Sequence, residues 1–387
     1  SGACRWLEFV AVAIFAFELT RSPELVALIT VLRMLPYVAL GFLAGAVADA
    51  VDRRAFMIFA VVVMGGVSAA MAVLAALGSA GYWAVAASTM VSGAFWTTDM
   101  PVRRRLLVDA AGTGQVASAL GLDNSTTYAT RAVGPLLGGV AYGLVGISGI
   151  YAVIALSYVV CLVLAVRLSI AATPASGAAR FDWRRLLPPR ELILERRFLV
   201  ILGVTLVYNL WCFPFVTMIP VIAQRDFGLI PALVGALAAC DGIGGTLGAL
   251  LVGMVASDRT LFRFYYLGPL IFLVLVLVLS QYLAVGLAIP VLVLLGIAQA
   301  AFSATQYALI YVMSPPEMRG RATGVLSIFI GSSMLGHYHA GLLFERLGSA
   351  KAMSVMALEG VAVMLVLGAI WAWPRKARAE DRGAPWT

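Results

Sequence analysis

The stretch Leu261-Phe-Arg-Phe-Tyr-Tyr-Leu-Gly-Pro-Leu-Ile-Phe-Leu-Val-Leu-Val-Leu-Val-Leu-Ser-Gln281 decides the architecture. It holds one charge, Arg263, near its start and none afterwards. At about 1.5 Å per residue, a helix over this stretch crosses the roughly 30 Å hydrocarbon core of a bilayer. Comparable apolar runs recur along the chain, at 5–21, 24–48, 55–78, 82–100, 115–145, 147–169, 197–223, 228–254, 261–281, 286–310, 320–345 and 349–373, with glycine, proline and charged residues at their edges. Of the 387 residues, 62% are hydrophobic and 12% charged, whereas a soluble domain carries roughly 25% charged residues. A soluble core cannot absorb that excess, so the sequence predicts an all-α membrane protein of twelve transmembrane helices. The first run starts almost at Ser1 and reaches Thr20 without a small-residue cleavage site, which reads as a span and not a cleavable signal peptide. Cys4, Cys161, Cys212 and Cys240 lie in or beside apolar runs, without the close pairing of a zinc or redox motif.

The formal charge of +8 could point to nucleic acid, but its distribution points elsewhere. With the N-terminus inside, Arg53, Arg54, Arg103, Arg104, Arg105, the arginines of 167–197, Arg259, Arg263, Arg319, Arg321 and the tail all fall on one side; Arg21, Arg225, Arg346 and Lys351 fall on the other. That bias follows the positive-inside rule. It predicts a multi-pass protein of the inner (plasma) membrane with both termini cytoplasmic, in contact with lipid and not with nucleic acid.

Hydropathy breaks between Arg167 and Arg197, through a Thr-Pro-Ala-Ser-Gly stretch and the basic Arg184, Arg185 and Arg190. The expected organisation is an N-terminal six-helix bundle (1–170), a cytoplasmic linker (171–196), a C-terminal six-helix bundle (197–374) and a cytoplasmic tail (375–387). A shift of 208 residues places Pro23, Leu25 and Val26 on Pro231, Leu233 and Val234, and Gly45-Ala-Val-Ala on Gly253-Met-Val-Ala. Parallel duplication of a six-helix unit is a transporter architecture, with the site between the halves near the midplane.

After the second span the chain reads Gly45-Ala-Val-Ala-Asp49-Ala-Val-Asp52-Arg53-Arg54. Glycine allows close helix approach, Asp49 can cap or pair at a helix end, and Arg53 and Arg54 hold the loop at the inner face. This loop resembles the cytoplasmic signature of the major facilitator superfamily, and the resemblance implies a gate latch. In the fifth span, Gly134-Pro135-Leu-Leu-Gly138-Gly139 resembles the motif that family associates with antiporters. Asp99-Met-Pro101-Val-Arg103-Arg104-Arg105 with Asp109 looks like the efflux branch of macrolide and enterobactin exporters. The resemblance implies the major facilitator fold of two pseudo-symmetric bundles and leaves the substrate open.

Ionisable groups inside a span cost at least about 2.5–3.5 kcal/mol unless partnered. The sequence points to Glu8, Arg33, Asp123, Arg131, Asp241, His337 and His339. Arg131 lies 14 residues below the outer end of span five and Asp241 13 residues below that of span eight, so they share a level and are expected to form an inter-bundle charge pair. Glu8, also 13 residues down, is the acid available to Arg33, about one turn away in depth. Desolvation favours its neutral carboxyl and Arg33 its carboxylate, so gate movement or substrate binding can tip it. Glu8, Arg33, Asp241, His337 and His339 are thus the proton-coupling candidates. The same 208-residue shift sets Arg33 on Asp241 and Arg131 on His339, which places the histidines near Arg33 at the opposite boundary.

His337-Tyr-His339 invites a metal, yet residues two apart project about 200° from each other on a helix, so no metal site is assigned. Polar stripes at helical spacing, namely Ser88, Ser92 and Asp99; Thr205, Asn209 and Cys212; and Gln299, Ser303 and Gln306, are expected to face the interior. Aromatic residues lie beside them. Trp96, Asp99, Asn209, Trp211, Gln299 and Gln306 are the candidates for a cavity suited to an amphipathic organic solute. The expected function is secondary active transport by alternating access, a proton-coupled antiport (protons or another coupling ion) that exports an amphipathic small molecule of drug or siderophore type, by a monomer and without a cofactor. A facilitator or importer of a metal ion or lysophospholipid, and a non-transporting receptor, are the alternatives. No nucleophile stands with a base at credible spacing and no HExxH is present, so an enzyme is not expected.

Overall fold

The computed structural model describes residues 2–50, 53–95, 116–167, 195–257, 259–282, 284–314 and 318–372. Among them the regular structure is entirely helical: α1 (Gly2–Thr20), α2 (Pro23–Ala50), α3 (Arg53–Ala76), α4 (82–95), α5 (Val116–Arg167), α6 (Arg196–Val207), α7 (Phe213–Arg225), α8 (Pro231–Val255), α9 (Leu261–Gln281), α10 (Val285–Met313), α11 (Arg319–Gly331), α12 (Ser333–Leu347) and α13 (Ser349–Ala372). Seven helical stretches among the described residues are long and apolar enough to cross a membrane, including Leu261–Gln281.

The breaks between helices have local causes. α5 covers two predicted spans and turns at Gly146, whose φ of 64° and ψ of −171° suit a residue without Cβ. Between α1 and α2, Thr20 Oγ1 donates to Ala16 O at 2.7 Å, Arg21 takes a left-handed φ of 55°, and Ser22 Oγ accepts from Leu25 N at 3.3 Å as a cap. α6 and α7 form one rod through a π-type turn over Tyr208–Cys212, where Phe213 N–H reaches back five residues to Tyr208 O. Pro214, which has no N–H to donate, follows directly. A single widened turn of this kind is a recurrent feature of functional sites.

The chain forms two compact units, one of Ser1–Phe181 with Thr217–Gly242, the other of Asp182–Val216 with Ile243–Thr387. In the first, α5 packs on α1 and α3, and α1 on α2. Val10, Ile14, Phe17, Ile29, Ile150 and Tyr151 fill its core. In the second, α9 packs on α10 and α13, and α13 on α6 and α12. Phe198, Tyr265, Phe272, Phe344 and Met356 are buried there. Both units have an apolar core, as a water-soluble protein does, but also an apolar surface. Leu144 is 80% exposed and Ile328 68%, while Ser88, Ser92, Thr205 and Gln306 are buried. That distribution satisfies polar groups inside and gives apolar ones to lipid. The interior hydroxyls close on their own helices: Ser68 Oγ donates to Met64 O, Ser88 Oγ to Val85 O and Thr89 Oγ1 to Ala86 O, each at 2.8 Å.

Small residues set the tightest crossings. A Cβ at Gly93 of α4 would collide with the carbonyl oxygen of Arg33 on α2, whereas a Cβ at Gly66 of α3 would meet nothing within 4 Å. Gly93→Ala is therefore expected to lower stability by about 1–3 kcal/mol through overpacking, read as a fall in the melting temperature of the detergent-solubilised protein. Gly66→Ala should leave that temperature unchanged or raise it, by about 0.5–1 kcal/mol of helix propensity. Equal melting of Gly93→Ala and the parent would contradict the crossing.

Candidate functional site

In the first unit the carboxylate of Glu8 is buried within the helices. Ser92 Oγ of α4 donates to Glu8 Oε2 at 3.1 Å, and Arg33 Nη2 of α2 lies 4.0 Å from Glu8 Oε1. Glu8 is 5% and Arg33 3% exposed. Phe9, the neighbour of Glu8, places its ring 5.4 Å from the Arg33 guanidinium carbon, adding a cation–π contact. The glycine crossing explains how these groups meet. Because Gly93 has no side chain, α4 comes against the Arg33 backbone and delivers the adjacent Ser92 to the carboxylate. One turn earlier on α4, Ser88 Oγ and Tyr151 Oη of α5 lie 3.2 Å apart. Phe9, Val12, Val26, Ile29, Thr30 and Arg33 line a small cavity against Thr217. At 4.0 Å the Glu8–Arg33 pair is at the outer limit of an ion pair, so the hydroxyl carries the short contact.

Arg131 and Asp241 meet in the same unit, with Arg131 Nη2 donating to Asp241 Oδ2 at 2.8 Å. Trp6 of α1 stands 5.3 Å from the Arg131 guanidinium carbon. Asp241 Oδ1 is buried and has no hydrogen-bond partner among the described residues. Glycines again set the approach. A Cβ at Gly242 would stand 2.5 Å from Arg131 O, and Gly139 of α5 and Gly235 of α8 each leave no room for a Cβ beside the other. Gly134 and Gly138 face the opposite way, toward Trp6 and Leu7 of α1. The Gly134-Pro135-Leu-Leu-Gly138-Gly139 segment is thus packed on two sides, by α1 and by α8.

In the second unit, Gly336 of α12 lies against Asn209 O and the Leu210 backbone, so α12 crosses the rod at the π-type turn. The two histidines diverge from there. His337 is fully buried, its Nδ1 bonds Ser333 O, and its ring meets Phe213 edge-on at 5.2 Å. His339 Nε2 lies 2.8 Å from Glu359 Oε2 of α13, and Trp211 Nε1 donates to the same oxygen at 2.7 Å. Glu359 is not among the residues read from the sequence. Its signal was available, since it is the one acid within the predicted span 349–373.

The polar stripe of the second unit is tied together by hydrogen bonds. Asn209 Nδ2 donates to Thr205 O at 2.8 Å, Gln306 Nε2 to Thr205 Oγ1 at 3.2 Å, and Thr205 Oγ1 lies 2.6 Å from Tyr265 Oη. Tyr208 stacks on Phe302 at 4.1 Å, and Tyr265 on the same ring at 5.0 Å. Gln299 is buried, and its Oε1 has no hydrogen-bond partner among the described residues. Trp96 and Asp99 lie outside the described residues, as do the side chains of Gly45, Asp49, Arg53, Arg54 and Asp123. The backbone of Gly45 and Asp49 runs in α2, and that of Arg53 and Arg54 opens α3.

The description Major Facilitator Superfamily matches residues 1–337. Among solved structures, a bacterial homologue of the human lysosomal transporter Spinster, inward-facing and occupied, superposes with a TM-score of 0.73 at 13% identity, over 96% of this chain and 93% of that one. The nucleoside transporter NupG gives 0.68 at 14% identity, over 96% and 99%. A bacterial homologue of the iron transporter ferroportin, inward-facing, gives 0.67 at 15% identity, over 96% and 93%. A search of curated proteins finds no match. At these identities the solved structures establish a shared fold, and the match over residues 1–337 establishes that the chain belongs to the Major Facilitator Superfamily.

Proposed function

We propose that the protein is a proton-coupled antiporter of the inner (plasma) membrane, exporting an amphipathic small molecule of drug or siderophore type by alternating access. The observation that carries this reading is Glu8, buried in a spanning helix and held by one hydroxyl at 3.1 Å and one guanidinium at 4.0 Å. A charge in that setting is expensive unless closely compensated, and this one is compensated loosely. Small movements of α2 or α4 change its partners and therefore favour either the carboxylate or the acid. Arg131 and Asp241, at 2.8 Å, form the tighter contact and suit a clamp that must break when the gate moves. Gly134, Pro135, Gly138 and Gly139 permit close sliding of α5 on its neighbours, and the Gly45-to-Arg54 loop is assigned the inner latch. The distribution of arginines supports cytoplasmic termini.

The working unit is a monomer with bundles at 1–170 and 197–374 and its cargo site at the midplane. Asn209, Trp211, Gln299 and Gln306 are assigned to that site, and Trp96 and Asp99, outside the described residues, are its further candidates. A facilitator or importer is the second reading, supported by the unlike cargoes of the structural neighbours, which include a nucleoside transporter and a homologue of an iron transporter.

Two measurements separate these readings. In inverted membrane vesicles with an acid lumen, ethidium or a catecholate siderophore should accumulate in a gradient-dependent manner, and Glu8→Gln should reduce accumulation to that of vesicles lacking the protein. Accumulation that ignores the gradient, with Glu8→Gln equal to the parent, would rule out proton antiport. In a cysteine-free background, Gln306→Cys should change its labelling by a membrane-impermeant thiol reagent when the transported compound is added. Constant labelling would favour a receptor over a transporter.

A further inference from the structure

The exposed residues of α9 fall in one row. Leu267, Ile271, Val274 and Val278 recur at helical spacing and are exposed, while Tyr265, Phe272, Leu273 and Val276 are buried. One turn before Leu267 the row continues with Arg263, also exposed, and four residues earlier, just outside the helix, with the exposed Arg259. Tyr282 stands exposed at the opposite end, about 28 Å from Arg263 along the helix and so close to the roughly 30 Å of a hydrocarbon core. The row therefore crosses the core as an apolar stripe, with Arg263 at headgroup depth at one end.

The protein does not neutralise that end. Neither Arg259 nor Arg263 has an ion pair or side-chain hydrogen bond among the described residues. Arg33 and Arg131, by contrast, face Glu8 and Asp241. The corner around Arg263 is nevertheless fixed. Phe262 stacks on Trp371 of α13 at 3.5 Å with the ring planes 8° apart, and the Arg197 guanidinium carbon of α6 lies 5.4 Å from the same Trp371 ring. One turn on, Tyr266 Oη donates to Met364 O at 2.6 Å, beside Gly368, which leaves no room for a Cβ there. The starts of the two helices, 195–197 and 258–263, carry Arg196, Arg197, Arg259 and Arg263 against Glu195 and Asp258, a net charge of +2.

We infer that this corner of α6, α9 and α13 is a specific site for one anionic phospholipid. The phosphate pairs with Arg263 and Arg259, and the acyl chains lie along Leu267, Ile271, Val274 and Val278. The Phe262–Trp371 pair stands at the glycerol level between them, where amphipathic rings are favoured. Charge complementarity and the single row together select the occupant. A free phosphate would satisfy the arginines and leave the stripe bare, and an acidic soluble protein could not reach a stripe at hydrocarbon depth. A phospholipid covers both, and the planar guanidinium offers its oxygens paired donors. With the cytoplasmic termini proposed above, the lipid belongs to the inner leaflet. The site does not depend on the antiport reading.

Native mass spectrometry of the full chain, released from detergent containing palmitoyl-oleoyl phosphatidylglycerol or the phosphatidylcholine with the same chains, tests the inference. The parent should retain one phosphatidylglycerol in preference to phosphatidylcholine. Arg263→Gln should weaken phosphatidylglycerol binding about fivefold, and Arg259→Gln with Arg263→Gln about twenty-five-fold, with phosphatidylcholine unchanged. Both arginines are exposed and unpaired, so these variants should melt in lipid-free detergent as the parent does; the single variant carries the test if the double one is poorly produced. Arg346→Gln with Lys351→Gln, which removes the same charge at the other end of α13, should bind as the parent does. Glycerol 3-phosphate at the lipid's concentration should not displace it. The inference is overturned if the parent holds the two lipids equally or if Arg263→Gln and the Arg259/Arg263 variant bind phosphatidylglycerol as the parent does. It is equally overturned if the Arg346/Lys351 variant loses as much, which would make net charge the cause, or if glycerol 3-phosphate displaces the lipid, which would make this a bare anion site.

Discussion

A bilayer's hydrocarbon core offers no hydrogen-bond partner, so each polar group that enters it must find one inside the protein. Three intramembrane carboxylates show how this chain meets that constraint. Glu8 has Ser92 and Arg33, Asp241 has Arg131, and Glu359 has His339 and Trp211. In the first two a glycine without room for a Cβ stands next to one member of the set, and in the third such a glycine packs on the neighbour of a member. Gly93 follows Ser92, Gly242 follows Asp241, and Gly336 of α12 packs on Leu210, the neighbour of Trp211. Lacking side chains, these residues let two backbones approach until adjacent polar groups come within hydrogen-bond distance. Close packing and charge compensation are therefore one device.

The three sites differ in how firmly their charges are held, and chemistry should follow that difference. Arg131 and Asp241 are joined at 2.8 Å, with Trp6 across the guanidinium. Removing either partner would strand a buried charge, a large cost suited to a structural clamp or gate. Glu8 is sealed but loosely paired. A loosely paired buried carboxylate can change protonation without first breaking a strong contact. Glu359 is closely paired and only partly buried, accepting from Trp211 Nε1 at 2.7 Å and lying 2.8 Å from His339 Nε2.

Hydropathy made the helical fold legible, because length and apolar content are written locally in the sequence. It also located the break at Gly146, where the predicted fifth span ends at 145 and the sixth begins at 147. Depth counting set Arg131 and Asp241 at one level, and their side chains do meet. What escaped was rotational detail. The pairing of Glu359 with His339 and Trp211 depends on the azimuth of three helices, and hydropathy does not encode azimuth. The π-type turn at Tyr208–Cys212, next to Pro214 and the Gly336 crossing, was equally hidden, since a crossing of two helices is not written locally in the sequence. His337 and His339 take different partners, in keeping with two residues about 200° apart on a helix.

The central claim is that Glu8 changes protonation state, in contrast to a carboxylate locked permanently to Arg33. Infrared difference spectroscopy of the reconstituted protein over a pH titration addresses it directly, with Glu8→Gln as the subtraction. The account predicts a protonated-carboxyl stretch in the parent that gives way to carboxylate bands as pH rises and is missing from Glu8→Gln. Parent and Glu8→Gln difference spectra that coincide at every pH would show Glu8 to be a fixed ion and would contradict the account.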